Sequence, residues 1–397
     1  MSQSMNKKSV LSMILLSTLI LSQAAPVFAT VQEEITEPNT ELVTETPTVE
    51  TESNAEAPPT EENSELEDNS EMLQKIAEAN LTQVTEETFA ITPSEDTIFD
   101  GGNGTVENPY LISTAEQLDR IRDDLGAHYE LTADIDLSAY SNWTPIGGTI
   151  EDPYKEFMGS LNGNNHSISN LLISNALYTG LFRMTGSTAD IRNISLNAVD
   201  ISGMTWVGGI AGRNSGTINN VIITGNISGS NVIGGVTGSN SGGTISHSRV
   251  DVNIAANYSP SNAGGIAGQN SSSASIISSY SLGKVTGLGT VGGLIGSNNG
   301  NVENCYSLTD VEGITNVGGL IGYSAGKVSS NYAAGDVTRV GSNDTGRFGG
   351  LIGSTSFSAI MNNVAVGKTI NAQSVPYVNA VLGLIEGHLI LEIIIVM

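Results

Sequence analysis

Two aspartates in matching positions are the residues of this sequence best placed for catalysis. Asp310 and Asp336 lie one repeat of the chain apart, so their backbones are expected ~4.8 Å apart on adjacent strands. Two carboxyl groups ~5–5.5 Å apart are typical of a retaining glycosidase. However, Lys284 and Lys368 flank them in the same column, and a solvated ladder of alternating charges explains all four residues. We therefore predict no catalytic residue here.

A metal site is also not predicted. Asp134 and Asp136 could bind calcium, but a solvated strand face accounts for them, because no further oxygen ligands follow at loop spacing. The single cysteine, Cys305, excludes an internal disulfide and a Cys-rich metal site. No phosphate-loop string and no C-x-x-C string is present. The sequence therefore predicts no catalytic residue, no cofactor and no metal ion.

A repeat of about 29 residues positions these side chains. The strands in each repeat are short and rich in β-branched residues, and Gly, Asn and Ser separate them. This pattern predicts an all-β fold, a parallel β-solenoid of seven to eight coils over residues 178–397, with a degraded last coil. The repeated string is VGGIAG at Val207, IGGVTG at Ile233, AGGIAG at Ala263, VGGLIG at Val291 and Val317, and FGGLIG at Phe348, with looser copies at Tyr178 and Val381.

Aligning the repeats produces columns of equivalent residues. Tyr280, Tyr306 and Tyr332 fall in consecutive coils and predict an aromatic stack. Cys305 precedes one of them and is expected to be a small packed side chain. A further column, expected to form a polar ladder between coils, contains Asn193, Asn220, His247, Ser278, Asn304, Ser330 and Asn362.

Residues 100–177 are predicted to form an N-terminal capping module for the solenoid. The pattern from Ser113 to Gly126 predicts one helix, with Ser113 and Glu116 forming a capping box. The run from Tyr129 to Leu137 alternates strictly between apolar and polar residues, as in a half-buried strand.

The first 99 residues differ in composition from the rest. Residues 1–29 read as a signal peptide cleaved after Ala29, with a membrane anchor as the alternative. Residues 30–99 contain 19 acidic residues and one basic residue, which predicts a disordered acidic spacer or an inert tail. The protein is therefore expected to be secreted or displayed at a cell surface. An exported chain with almost no cysteine is typical of a Gram-positive bacterium.

Charge limits the range of partners. The whole chain has a formal net charge of −26, which argues against a nucleic-acid partner. Residues 178–397 are nearly neutral, with 10 acidic and 9 basic residues. A nearly neutral solenoid surface suits weak multivalent contact with a host or matrix protein or a glycan. We expect a monomer, with no transmembrane span in the mature chain.

The repeats resemble the GLUG repeats of bacterial surface proteins, through the G-G cores and the N-x-Y-x-x-G-x-V runs from Tyr178 to Met397. The resemblance implies a right-handed parallel β-helix. GLUG repeats also precede the catalytic region of immunoglobulin-A-cleaving zinc metalloproteases, whose catalytic motif is H-E-x-x-H. No Glu follows any of the four histidines of this chain, so no protease residue is carried over. Those histidines are His128, His166, His247 and His388.

These observations favour a noncatalytic β-solenoid that acts as an adhesin-like or spacer region of a surface protein. One alternative is the N-terminal region of an immunoglobulin-A-type metalloprotease that lacks its catalytic part. A weaker alternative is a β-helix enzyme that cleaves glycans. The apolar ending HLILEIIIVM suggests a truncated piece of a longer protein, or else a C-terminal strand that covers the last coil.

Overall fold

The computed structural model describes residues 98–148, 152, 154–341, 345–356, 359–366 and 370–372, and the backbone of 377–379, 382–386 and 390–395. The predicted signal peptide and almost all of the predicted spacer, residues 1–97, lie outside the described residues, so both stay predictions. The statements about structure below concern the described residues.

The N-terminal module contains one short helix and six strands. Its helical part is helix α1 (Ala115–Asp119), followed by the 3-10 helix η1 (Arg120–Asp123). The strands are β1 (Tyr110–Ile112), β2 (His128–Leu131), β3 (Ile135–Asp136), β4 (Ser160–Asn162), β5 (Ser167–Ser169) and β6 (Leu172–Thr179).

The capping box of helix α1 lies one residue later than predicted. The Thr114 hydroxyl accepts the N–H of Gln117, and the Gln117 side chain accepts the N–H of Thr114. The prediction that Ser113 and Glu116 form the box is therefore wrong. Gln117 is buried, and its Nε2 donates to Asp100 Oδ1 at 2.7 Å. This tertiary hydrogen bond favours a capping box that uses Gln117 over one that uses Glu116, because the Glu116 side chain is exposed.

The helix is also shorter than predicted. The expected helix over Ser113–Gly126 ends at Asp119 and continues as a 3-10 turn. Its apolar face is nevertheless as expected, because Leu118, Ile121 and Leu125 are all buried in the core. Tertiary packing thus holds this face in place without a regular α-helix along its whole length.

The first coils of the solenoid follow the module directly. Their strands are β7 (Phe182–Thr185), β8 (Asp190–Val207), β9 (Ala211–Asn214), β10 (Thr217–Gly229), β11 (Val232–Gly234), β12 (Thr237–Asn240), β13 (Thr244–Ser246), β14 (Arg249–Ala256), β15 (Asn262–Gly264), β16 (Ala267–Asn270), β17 (Ser275–Ile277), β18 (Tyr280–Gly287) and β19 (Thr290–Gly292).

The later coils repeat the same order with shorter strands. They are β20 (Ile295–Asn298), β21 (Asn301–Glu303), β22 (Tyr306–Ser307), β23 (Asp310–Gly313), β24 (Asn316–Gly318), β25 (Ile321–Ser324), β26 (Lys327–Ser329), β27 (Tyr332–Ala333), β28 (Val337–Arg339), β29 (Arg347–Gly349), β30 (Ile352–Ser356), β31 (Ala359–Ala365), β32 (Ile370–Asn371), β33 (Tyr377–Asn379), β34 (Leu382–Glu386) and β35 (Ile390–Ile395).

Each strand pairs in parallel with the equivalent strand of the next coil. For example, β17 pairs with β21 and β21 pairs with β26, so Ile276, Val302 and Val328 stack in register. The described strands form one sheet of 27 strands and a second of 8 strands. This arrangement is a parallel β-solenoid of about seven turns. The predicted fold class is therefore confirmed.

Columns of aliphatic side chains fill the interior. The stacked residues Ile218, Ile245, Ile276, Val302 and Val328 are each fully buried, and burial of such a side chain contributes about 1.5–3 kcal/mol. The paired glycines are needed because the backbones of neighbouring coils approach closely there. A Cβ atom on Gly265 would lie 2.3 Å from the carbonyl oxygen of Gly293 in the next coil.

The polar column expected as a ladder lies at a corner of the coil and forms ladder bonds in part. All seven residues have left-handed backbone, with φ between 49° and 59°, a conformation that Asn tolerates better than most residues. Side-chain bonds between coils join Asn220 to Asn193 at 2.9 Å and Asn193 to Asn162 at 3.1 Å. His247 belongs to this corner, and its Nδ1 lies 3.1 Å from Asn219 Nδ2. The shared property of the column is therefore its backbone conformation.

A second polar column, which the sequence analysis missed, is fully buried and forms a true ladder. Asn214 Nδ2 donates to Asn240 Oδ1, Asn240 Nδ2 to Asn270 Oδ1, and Asn270 Nδ2 to Asn298 Oδ1, each at 2.9 Å. Asn298 continues the ladder to Ser324 Oγ at 3.2 Å. The signal was present in the sequence, because each of these residues stands at a fixed distance after a G-G core.

Candidate functional site

Three tyrosines in register mark one exposed wall of the solenoid. Tyr280 pairs with Tyr306, and Tyr306 pairs with Tyr332. The rings of Tyr280 and Tyr306 stack with centroids 4.4 Å apart and planes 11° apart, as the register predicts. We call this surface the tyrosine wall and define it as the outer face of β18, β22, β23, β27 and β28.

Stacking determines which parts of the rings a partner can reach. One face of Tyr280 is covered by Tyr306, and the Arg249 guanidinium carbon lies 6.0 Å from the centroid of the same ring. Tyr306 and Tyr332 are each 36% exposed. At the stacked pair Tyr280 and Tyr306, a partner therefore meets mainly ring edges and phenol oxygens. This stacked pair is not a flat platform for a sugar ring.

Burial changes the acidity of these phenols. It raises the pKa of Tyr306 to about 12, and the neighbouring Tyr280 adds to the effect. Burial also raises the pKa of Tyr332. Both hydroxyls therefore stay protonated at neutral pH and can donate hydrogen bonds to a partner.

Apolar side chains extend the tyrosine wall. Leu308 is 44% exposed, and it lies two residues from Tyr306 on the same side of the strand. Val366 follows in a later coil and is 37% exposed. Contiguous exposed apolar groups beside hydroxyls are a feature of interaction surfaces. Sequence reasoning missed Leu308 as part of this surface, although its alternation with Tyr306 places both on one face.

The two candidate catalytic aspartates lie on the same wall. The Asp310 carboxylate accepts the backbone N–H of Asp336 at 2.9 Å, so it bonds to the backbone of the next coil. The shared column predicts that Lys284 contacts the aspartates. Instead, Lys284 Nζ pairs with Glu312 Oε1 at 2.7 Å. Lys368 lies outside the described residues. The geometry thus supports a structural role for Asp310.

The two aspartates considered as calcium ligands, Asp134 and Asp136, also bond to the next coil. Asp134 accepts the N–H of Ser167 at 2.7 Å, and Asp136 accepts from Asn170 Nδ2 at 2.8 Å. These hydrogen bonds lower the pKa of both carboxyl groups. No group of three or more His, Cys, Asp or Glu side chains within the described residues is arranged to hold a metal ion.

Cys305 is packed inside the solenoid. It is 2% exposed, and its Sγ lies 3.2 Å from the carbonyl oxygen of Glu303. Burial raises the pKa of the thiol to about 12, so the nucleophilic thiolate is scarcely populated at neutral pH. The environment therefore agrees with a packing role.

The fold is shared with a known structure. The crystal structure of a protein assigned as an immunoglobulin A1 protease from Bacteroides ovatus matches with a TM-score of 0.50 and 22% identity, covering 73% of this chain and 87% of that chain. A likeness at this identity supports the fold alone. No protein-family model matches the chain.

Two curated relatives match shorter segments. A protein named as a Gly-rich membrane protein from Evansella cellulosilytica is 38% identical over 146 residues, which is 34% of this chain and 16% of that protein. Halomucin from Haloquadratum walsbyi is 39% identical over 129 residues, which is 31% of this chain and 1% of that protein. The chain thus spans a small part of either relative. Among the described residues, no helix is long and apolar enough to cross a membrane.

Proposed function

We propose that this chain is a noncatalytic β-solenoid region of a secreted or surface-displayed protein, of the GLUG-repeat type, and that the tyrosine wall is its adhesive face. The observation that carries this proposal is the wall itself, where tyrosines stand in register over three consecutive coils and Leu308 and Val366 add exposed aliphatic side chains. A repeated surface suits weak contacts that add up along the solenoid. The names of the two curated relatives, a membrane protein and halomucin, support a surface location.

The enzyme alternatives have less support. The bond between the Asp310 carboxylate and the backbone of Asp336 favours a structural aspartate over a glycosidase pair. The second alternative, the N-terminal region of an immunoglobulin-A-type metalloprotease, draws support from the shared fold with the Bacteroides protein. It is compatible with a binding role for this chain, since such a region would position a catalytic part located elsewhere.

A binding experiment with the full chain tests the proposal. Mucin and immunoglobulin A1 are immobilised separately, and association is followed by biolayer interferometry. We expect binding to at least one of them, strongly weakened when Tyr280, Tyr306 and Tyr332 are all replaced by Ser. The matched control replaces Tyr154 and Tyr258, which are 67% and 69% exposed and lie off the wall, by Ser. This control should bind like the parent.

The same mixtures reveal any catalysis. After prolonged incubation, electrophoresis of immunoglobulin A1 and chromatography of released mucin glycans should show no product. A glycan product that disappears in the D310N/D336N double variant would establish the glycosidase alternative. Absence of binding to both proteins, or a triple tyrosine variant that binds both of them as strongly as the parent, would contradict the adhesive wall.

A further inference from the structure

A polar cleft lies in the N-terminal module, on a different wall of the solenoid from the stacked tyrosines. Its volume is about 380 Å³, within the range of ~300–1,000 Å³ found for small-molecule sites. The outer faces of β2, β4 and the start of β8 form its floor, and the segment containing Glu107 and Pro109 forms one side. None of its residues has a role in the tyrosine wall.

Hydrogen bonds from the next coil fix the polar groups of the floor. Glu130 Oε2 accepts from Asn162 Nδ2 at 3.2 Å, and its other oxygen accepts from Asn164 Nδ2 at 3.4 Å. The His128 Nδ1 atom lies 2.8 Å from Ser160 Oγ. The Glu130 carboxylate therefore has a set orientation before any ligand arrives, which reduces the entropy lost on binding.

The charges in the cleft are mixed. Asp190 and Arg192 form an ion pair on β8 through one amino group of the guanidinium, and a guanidinium carries five N–H donors in all. Glu107 and Glu130 add two carboxylates that face the same space. The cleft thus combines carboxylate acceptors with guanidinium and amide donors.

This mixture selects for one class of ligand. An anion such as sulfate would meet the carboxylates of Glu107 and Glu130. An organic ammonium ion would meet the Arg192 guanidinium and has no acceptor to offer the N–H donors of that guanidinium. A neutral molecule with several hydroxyl groups fits both, because each hydroxyl donates to a carboxylate and accepts from an amide or a guanidinium. We propose that this cleft binds a neutral sugar residue, a role that stands whether or not the tyrosine wall is adhesive.

The solenoid itself provides a matched control. Glu303 occupies the same column as Glu130. Parallel pairing of successive strands connects the two positions through Asn162, Arg192, Asn219 and the equivalent residues of later coils. Glu303 lies among Asn301 and Lys327, away from the segment that encloses the cleft. Removing its charge therefore changes the same strand position without changing the cleft.

Saturation-transfer difference NMR on the full chain tests the proposal. The probes are the methyl glycosides of glucose, galactose, mannose and N-acetylglucosamine, with lysine amide as a cationic comparison. Inorganic sulfate has no protons to observe, so its binding is measured separately by isothermal titration calorimetry. We expect transfer to at least one glycoside and weakening by about tenfold in E130Q, since a charge-assisted hydrogen bond is lost. E107Q, at an exposed position, should weaken binding without affecting folding, and E303Q should bind like the parent.

Three results would overturn the sugar assignment. The first is no transfer to any of the four glycosides. The second is transfer that persists unchanged in both E130Q and E107Q, or that falls equally in E303Q. The third is binding of sulfate or lysine amide in place of the glycosides. Loss of the tyrosine wall by triple substitution should leave sugar binding intact, which separates this site from the adhesive surface.

Discussion

At the scale of single residues, the buried asparagine ladder should be the most sensitive part of the solenoid. Asn270 accepts from Asn240 and donates to Asn298, and all three are fully buried. Asn270→Ala would leave both partners with a lost hydrogen bond in the core. We expect a loss of about 2 kcal/mol in the free energy of unfolding, measured by chemical denaturation followed by circular dichroism.

An exposed asparagine offers the control for that substitution. Asn253 Nδ2 also donates to the preceding coil, to Asn226 Oδ1 at 3.2 Å, but on the solvent side. Asn253→Ala should therefore change stability by less than about 0.5 kcal/mol. Equal losses in the two variants would mean that burial of the ladder contributes nothing beyond the hydrogen bond itself.

Cys305 should be chemically silent in the folded protein. Burial raises its thiol pKa to about 12, so the proton is retained throughout the neutral range. Ellman's reagent should label the native protein far more slowly than a free thiol, and should label the denatured protein fully. Labelling of the native protein at the rate of a free thiol would show that the corner opens readily.

At the scale of elements, the stacked tyrosines should make the solenoid sensitive to alkali. The pKa of Tyr306 is raised to about 12 from an ordinary value of ~10, so the folded state holds this proton more tightly than the unfolded state. Its contribution to stability is complete below pH ~10 and is lost as the pH rises through about 12. Tyr306→Phe should reduce the alkaline loss of melting temperature.

The test of this alkaline sensitivity compares two phenylalanine variants. Thermal melts of the parent, Y306F and Y154F are recorded from neutral pH to beyond pH ~12. Y154F should follow the parent, because Tyr154 is 67% exposed and outside the stack. A Y306F curve that falls as steeply as the parent curve would show that other groups cause the alkaline unfolding.

The elements also show where sequence reasoning succeeds and where it stops. The aligned repeats correctly placed Tyr280 beside Tyr306, because spacing alone determines register in a parallel solenoid. They also predicted side-chain bonds between coils in the column that contains Asn193 and Asn220, and the bond between these two residues is present. They could not show that the whole column shares a left-handed backbone. The buried ladder that starts at Asn214 was missed although its residues stand at a fixed distance after each G-G core, because that spacing alone does not show that they face inward.

Local patterns had a similar limit in the N-terminal module. Two overlapping capping boxes fit the sequence, starting at Ser113 and at Thr114. The bond between Gln117 and Asp100 joins residues from different elements, and it favours the second box. Likewise, the cleft around Glu130 depends on contacts between coils and on the segment near Glu107. No spacing within a single repeat could have revealed it.

At the scale of the whole molecule, each coil contacts mainly its neighbours. A destabilising substitution should therefore unfold the nearest coils and leave distant coils folded. Gly265→Val tests this, because a Cβ there would lie 2.3 Å from the Gly293 carbonyl oxygen. Hydrogen exchange with mass spectrometry should show lost protection in the coils around residues 263–293, with protection kept in β2 and β4. The control Gly126→Ala, whose Cβ would meet its nearest atom at 3.5 Å, should leave exchange unchanged. Uniform loss of protection in G265V would instead make the solenoid a single cooperative unit.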